Sequence, residues 1–351
     1  MKGMMVQLIR EKGGFLSFDE YMRESLYHPD HGYYMSGRPK IGKAGDFYTA
    51  SSISSLYGAL MAGWFLDKVR SNEIPPVFCE IGSGTGSFLR AFLDEWKAQS
   101  PETFERGTVF SVEKSPAHRQ RARELGVKVL PGIEDLPAGF SGTIFSNEWL
   151  DALPVKLAEN SGGVVMEAGV GADQEGQLVF MHREDNNGEL ASYLRWAEIP
   201  LKKESRIEIP LEMLEKLQQL NEKLGNAYIV TADYGHFSDL LVQRKQGTIR
   251  GYRNHILYEH PLAYPYEMDL TYDIPLTAYL KKTGELGWEE LAVQKQTEFF
   301  WDNGLAGFLQ EVQDPDPFSV ASKRNRAIRS LLSHEGISES FYIMVHRKGA
   351  V

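Results

Sequence analysis

The chain has 351 residues, enough to bury a full core as one large domain or two ordinary ones. Its 42% hydrophobic and 25% charged residues are those of an ordinary soluble globular protein. A formal charge of −10 argues against a nucleic-acid backbone as the main partner, because phosphate binding needs a basic surface. In chain order, the N-terminal stretch MKGMMVQLIREKGGFLSFDEYM has no signal-peptide apolar core. Residues 17–70 read as helical, broken by the loop HPDHGYYMSGRPKIGKAGDFYTA, in which Gly45, Asp46 and Phe47 precede a helix starting near Ser51. The most apolar stretch, LYGALMAGWFL (56–66), is too short to cross a bilayer and reads as a core helix. These features predict a cytoplasmic protein with no membrane partner.

From residue 77 strands alternate with helices: VFCEI, a helix over 87–97, TVFSVE, a helix from near Ser115, VKVL, then GTIFSNE. Apolar runs alternating with helical periods predict a doubly wound α/β fold on a mostly parallel sheet covered on both faces. Cys79, the single cysteine, lies in the first of these strands as a buried, inert thiol, and a lone cysteine excludes an intramolecular disulfide or a cysteine zinc cage. Residues 156–225 break the rhythm. There VVMEAGVGADQEGQLVFMHR predicts a hairpin, and IPLEMLEKLQQLNEKLG a helix with a glycine stop. The alternation resumes with AYIVTADYGH, a helix near 275–283, LAVQKQ, a helix from about Glu298, and a last strand, SFYIMVHRK. The expected organisation is an N-terminal helical extension (1–70), a core in two halves (71–155 and 226–351), and an inserted α+β subdomain (156–225) offering a substrate or partner surface.

The segment VFCEIGSGTGSFLRAFL (77–93) sets three glycines in five positions directly after a strand. Glycine costs about 0.5–1 kcal/mol relative to alanine inside a regular element, so the cluster needs a reason. A strand turning through glycines into a helix brings bare backbone and a helix N-terminus against a ligand. A phosphate loop requires lysine and Ser/Thr after the last glycine, where this chain has Ser87-Phe88-Leu89. A dinucleotide fold requires G-x-G-x-x-G, whereas Gly82, Gly84 and Gly86 give G-x-G-x-G. Glu80, just before the first glycine, would be unwelcome beside a pyrophosphate. It suits S-adenosylmethionine, whose ammonium and sulfonium are both cationic. Glu113, at the tip of the next strand, can accept bonds from both ribose hydroxyls, at roughly 1.5–3 kcal/mol for each charge-assisted bond. The predicted cofactor set on this turn is Glu80, Gly82, Ser83, Gly84, Gly86 and Glu113.

With these residues in view, EIGSGTG and the VE of the next strand resemble the S-adenosylmethionine site of class I methyltransferases. The segments YMRESLYHPDHGYY, IGKAGDFYTASSISSLYGALMA, NEWLDALPV, ADYGH and DLTYDI, in that order, resemble the MidA family. That family includes the mitochondrial complex I assembly-factor arginine methyltransferases. The likeness runs from about residue 17 to 275, with a weaker echo at QTEFFWDNGL. It implies a seven-stranded sheet whose last strand, here SFYIMVHRK, is antiparallel. It also implies arginine as methyl acceptor, and a lid over the cofactor with Gly45 and Asp46 near its charged end and Tyr33 and Tyr34 along it.

The catalytic expectations follow from the strand tips. Asn147 and Glu148 end the fourth strand, where open α/β sheets place their ligand crevice. With an arginine acceptor, Glu148 can grip the guanidinium through paired hydrogen bonds. Asp151 is either a second acid of the site or the N-cap of the following ALPV segment. Asp233 and His236, at the end of the fifth strand, reach towards the same crevice, with His236 as a proton acceptor. The nine histidines show no metal-ligand spacing, and no metal is expected. The function read from this pattern is an S-adenosylmethionine-dependent methyltransferase acting on a protein nitrogen. The alternative is an assembly factor that binds the cofactor with little turnover.

Overall fold

Seven strands form the central sheet of the computed structural model, which describes residues 1–36, 51–254, 256–309, 316, 319–332 and 340–349. In chain order they are β1 (Val77–Ile81), β2 (Thr108–Val112), β3 (Lys128–Leu130), β4 (Phe140–Asn147), β5 (Leu224–His236), β6 (Glu289–Lys295) and β7 (Phe341–Lys348). Their spatial order is β3-β2-β1-β4-β5-β7-β6. The first five pair in parallel, while β7 runs antiparallel between β5 and β6, as expected for SFYIMVHRK. The order reverses between β1 and β4, which opens a crevice at their carboxyl ends.

Alternating side chains of β1 feed two cores. Phe78 is fully buried on one face, its ring stacked 3.9 Å from that of Phe92 on the helix Ser87–Gln99. Burial of such a side chain contributes roughly 1.5–3 kcal/mol. Cys79 and Ile81 face the other core with Phe110, Ile144 and Met213. Cys79 is buried, and burial raises its thiol well above the usual range, in keeping with an inert group.

The insertion contains the expected hairpin, Val164–Ala172 against Leu178–Glu184, in an antiparallel sheet with Lys156–Ser161 and Arg206–Ile209. The N-terminal extension adds its own short strand there, pairing Leu16 with Val170 and Ser17 with Gly169. The helix Leu211–Lys223 forms as expected, but glycine does not stop it. Leu224 leaves it in an extended conformation (φ −81°, ψ 137°), and Gly225 already belongs to β5. A third, three-stranded sheet is built from Arg250–Arg253, Ile256–Tyr258 and Asp269–Thr271. Among the described residues no helix is long and apolar enough to cross a membrane. The expected lid positions Gly45, Asp46 and Phe47 lie outside the described residues.

Candidate active site

The glycine turn uses backbone that side chains resist. Gly82, Gly84 and Gly86 have φ of 75°, 50° and 76°, all left-handed, which favours glycine at each. The turn is tied to β2. The Gly82 N–H donates to the Val112 carbonyl at 2.9 Å, and the Ser83 and Ser111 hydroxyls meet at 2.7 Å. Glu113 is held by two backbone donors, Gly84 N–H to Oε2 at 2.9 Å and Ser115 N–H to Oε1 at 2.7 Å. A carboxylate fixed this way keeps lone pairs for further donors. Gly86 caps the helix that follows, so that helix N-terminus faces the same crevice.

Glu80 is 4% exposed, and its carboxyl is pushed up to about 8, first by burial and then by the charge of Glu113. Its Oε2 has no hydrogen-bond partner. Unpaired buried polar atoms are costly, so several in one place call for a ligand. Around the crevice the Ser115 hydroxyl, the Tyr57 hydroxyl and the Asn147 Oδ1 are also buried without partners. This donor and acceptor set, on a turn with no side-chain bulk and two acids, fits a ligand that is cationic and carries hydroxyls.

Beyond the turn, acids gather at the tips of β4 and β5. Glu148 takes a left-handed φ of 49° directly after β4, while its N–H still pairs with the Ala232 carbonyl at 2.9 Å. A non-glycine residue in that conformation costs on the order of 1 kcal/mol, and here it aims a carboxylate. The side chain is open to solvent by area but recessed within surrounding protein. That desolvation raises its carboxyl, while the Asn147 side-chain amide, donating to Oε1 at 3.2 Å, lowers it. Asp151 is buried and accepts from the Thr271 hydroxyl at 2.6 Å. Burial and the charge of Glu148 push it up to about 7. Asp233 is fully buried, its Oδ2 receiving the Leu150 N–H at 2.9 Å and its Oδ1 that of Tyr234 at 2.9 Å. It is raised too, by burial and by Asp151. No helix follows Asp151, so the N-cap reading is corrected: its partner is Thr271, from a distant segment.

Arg250 and Glu208, which no sequence pattern singles out, also stand around this group. Arg250 donates to Asp273 Oδ1 at 2.8 Å and to the Thr248 carbonyl at 3.2 Å, and its charge acts on both Glu148 and Asp151. Glu208 of the insertion, 2% exposed, accepts the N–H groups of Thr248 and Ile249 at 2.6 and 2.8 Å, which fixes the segment leading into Arg250. His236 joins the network through its Nε2, 3.4 Å from Asp273 Oδ2 and 3.2 Å from Arg244. Burial lowers it below the ordinary imidazole value. Tyr34 donates to Asp269, and its ring packs on those of Tyr27 and Tyr33 at 5.5 and 5.2 Å. The structure thus gathers Glu80 and Glu113 with the glycines, and Glu148 with Asn147 at the neighbouring strand tip.

Comparison with known proteins agrees with this geometry. A family model described as "Putative S-adenosyl-L-methionine-dependent methyltransferase" matches residues 60–293. A Burkholderia thailandensis protein crystallised with S-adenosyl-homocysteine superposes with a TM-score of 0.88 at 26% identity, over 100% of this chain and 93% of that one. The mitochondrial protein arginine methyltransferase NDUFAF7 of Danio rerio is 28% identical, over 93% of this chain and 82% of its own length. The Drosophila melanogaster homologue of that enzyme is 28% identical, over 78% and 68% respectively.

Proposed function

The chain belongs to this family of S-adenosyl-L-methionine-dependent methyltransferases, and we propose that its acceptor is a protein nitrogen, the guanidinium of an arginine side chain. One observation carries this reading: a recess of carboxylates, Glu148, Asp151 and Asp233, adjoining the cofactor turn at the tips of β4 and β5. Such a recess attracts a cation, and Glu148, exposed and aimed by its backbone, is the acid that can meet it in a two-bond fork. The arginine methyltransferases related to this chain support the same acceptor.

S-adenosylmethionine, when bound, supplies an electrophilic methyl carbon on a sulfonium. The chain's own residues do the rest. Glu80 and Glu113 hold the cofactor's cationic and hydroxyl ends, and the bare backbone of Gly82, Ser83, Gly84 and Gly86 lets it approach. Glu148 orients the acceptor nitrogen, and Asn147 steadies the Glu148 carboxylate through its 3.2 Å bond. Positioning of this kind supplies most of the help an in-line displacement needs. As the guanidinium nitrogen gains its methyl it loses a proton, and Glu148 is the base that faces it. Asp151 and Asp233 are raised by burial towards their neutral forms, so the charge that meets the acceptor rests mainly on Glu148.

Glu148→Gln tests the assignment. Transfer of labelled methyl groups from S-adenosylmethionine should fall by about 100-fold or more, the range for losing a positioned acid or base. Affinity for S-adenosylhomocysteine should stay within about threefold. A variant as active as wild type would remove Glu148 from the site. Loss of methylation with biological function intact would instead favour a binding role for the protein.

A further inference from the structure

Tyr57 lies on the helix Ser51–Arg70, in a stretch whose sequence reads only as core. Its ring is wedged edge-on among Phe88, Phe145 and Phe300, with centroids 5.6, 5.9 and 4.7 Å away. Phe88 is the second residue of the helix that leaves the glycine turn, and Phe145 stands two residues before Asn147 on β4. The ring therefore sits where the cofactor turn and the acceptor acids adjoin. Tyr57 is 9% exposed, and its hydroxyl is buried with no hydrogen-bond partner. A phenylalanine would fill this aromatic pocket without leaving a polar atom unpaired. After its burial, the charges that act most on the hydroxyl are those of Glu148, Asp233 and Glu80, in that order. Acids of both halves of the site thus act on a group that can accept as well as donate.

We infer that Tyr57 is a further catalytic residue, whose hydroxyl is left unpaired in the free protein to accept a hydrogen bond from the N–H of a cationic methyl acceptor lying between Glu148 and the cofactor. Glu148 and Tyr57 would then grip the acceptor from two sides, one through charge and one through a neutral oxygen that fixes its rotation. This rests on the proposed cationic acceptor, but not on that acceptor being arginine.

Tyr57→Phe separates the inference from a structural role, because its two expected effects point in opposite directions. Ligand-free, the variant should melt at or above the wild-type temperature, since an unpaired buried hydroxyl has been removed. Transfer of labelled methyl from S-adenosylmethionine into total protein from cells lacking this gene should fall at least tenfold. Affinity for S-adenosylhomocysteine should stay within twofold. A lower melting temperature would show that the hydroxyl serves the fold and overturn the inference. So would a large loss of S-adenosylhomocysteine affinity, which would place Tyr57 on the cofactor, and so would unchanged methyl transfer. Label found on a residue other than arginine would sink the arginine reading and leave the Tyr57 result standing. The melting comparison needs no acceptor, so a lower melting temperature overturns the inference even where no labelling occurs.

Discussion

Replacing Glu80 by glutamine probes the match between this site and a cationic ligand. The Glu80 carboxyl is 4% exposed and is pushed up to about 8 by burial and by Glu113. At pH 7 a group titrating near 8 is ionised in only about one molecule in ten. A cationic ligand pairs with the ionised form, so its binding at pH 7 should release about 0.9 proton per site. S-adenosylhomocysteine keeps the ammonium though not the sulfonium, so through that group its affinity should climb by up to about tenfold per pH unit between pH 6 and 8, then level off. Glu80→Gln keeps the shape and removes the titration. Its affinity should fall about 10- to 100-fold at pH 8, the worth of a hydrogen bond to a charged group, and much less at pH 6, where the wild-type group is itself neutral. The sign for stability is opposite: an acid raised from 4.5 to about 8 in the fold loses stability as pH rises through that window, so ligand-free Glu80→Gln should outlast wild type at pH 8 but not at pH 4. Calorimetry in two buffers of different ionisation enthalpy reads the proton release directly. A pH-independent affinity without proton release, together with a variant that binds like wild type, would refute the reasoning.

Two further predictions concern the fold that carries the site. Gly142 has φ 141°, and a Cβ there would sit 2.2 Å from the Val77 carbonyl oxygen, so Gly142→Ala should force β4 off β1 and cost about 3 kcal/mol or more in chemical denaturation. An unchanged midpoint would mean that the two strands have slack. His346 is fully buried and, through that burial, lowered to about 4. Below pH 6.5 the unfolded chain takes up a proton that the fold refuses, so stability should drop by up to about 3 kcal/mol as pH falls from 6.5 to 4. His346→Phe should flatten that part of the melting profile. An equally steep acid slope in the variant would assign the loss to other groups.

What the sequence disclosed was local. The glycine turn, Glu80 and Glu113 lie within a 34-residue stretch (80–113), and a strand-turn-helix rule reads them without knowledge of the rest. The strands of the central sheet were legible from apolar runs, and the antiparallel β7 came with the family likeness, but the small sheet of Arg250–Arg253, Ile256–Tyr258 and Asp269–Thr271 was not. What stayed hidden depends on contacts between distant segments. Asp151 reads equally as a site acid or a cap until Thr271, 120 residues away, is seen to hold it. The strand Leu16–Ser17 is two residues long, too short for any periodicity, yet it joins the extension to the sheet of the insertion. Arg250 looks like one of many surface cations, and it is Asp273, with Glu208 fixing the backbone just before it, that holds it half-buried beside the acids. Tyr57 sits in an apolar run whose pattern says core, and a pattern of side-chain types cannot show an unpaired hydroxyl.

The most direct test is to find where the methyl group goes. Proteins labelled by wild type and by Glu148→Gln with isotopic S-adenosylmethionine can be fragmented in a mass spectrometer to locate the label. A label on guanidinium nitrogens, present with wild type and lost with a Glu148→Gln protein that still binds S-adenosylhomocysteine, is the predicted result. A label on another kind of atom, or equal labelling by the variant, would contradict the assignment of the carboxylate recess to a cationic arginine acceptor.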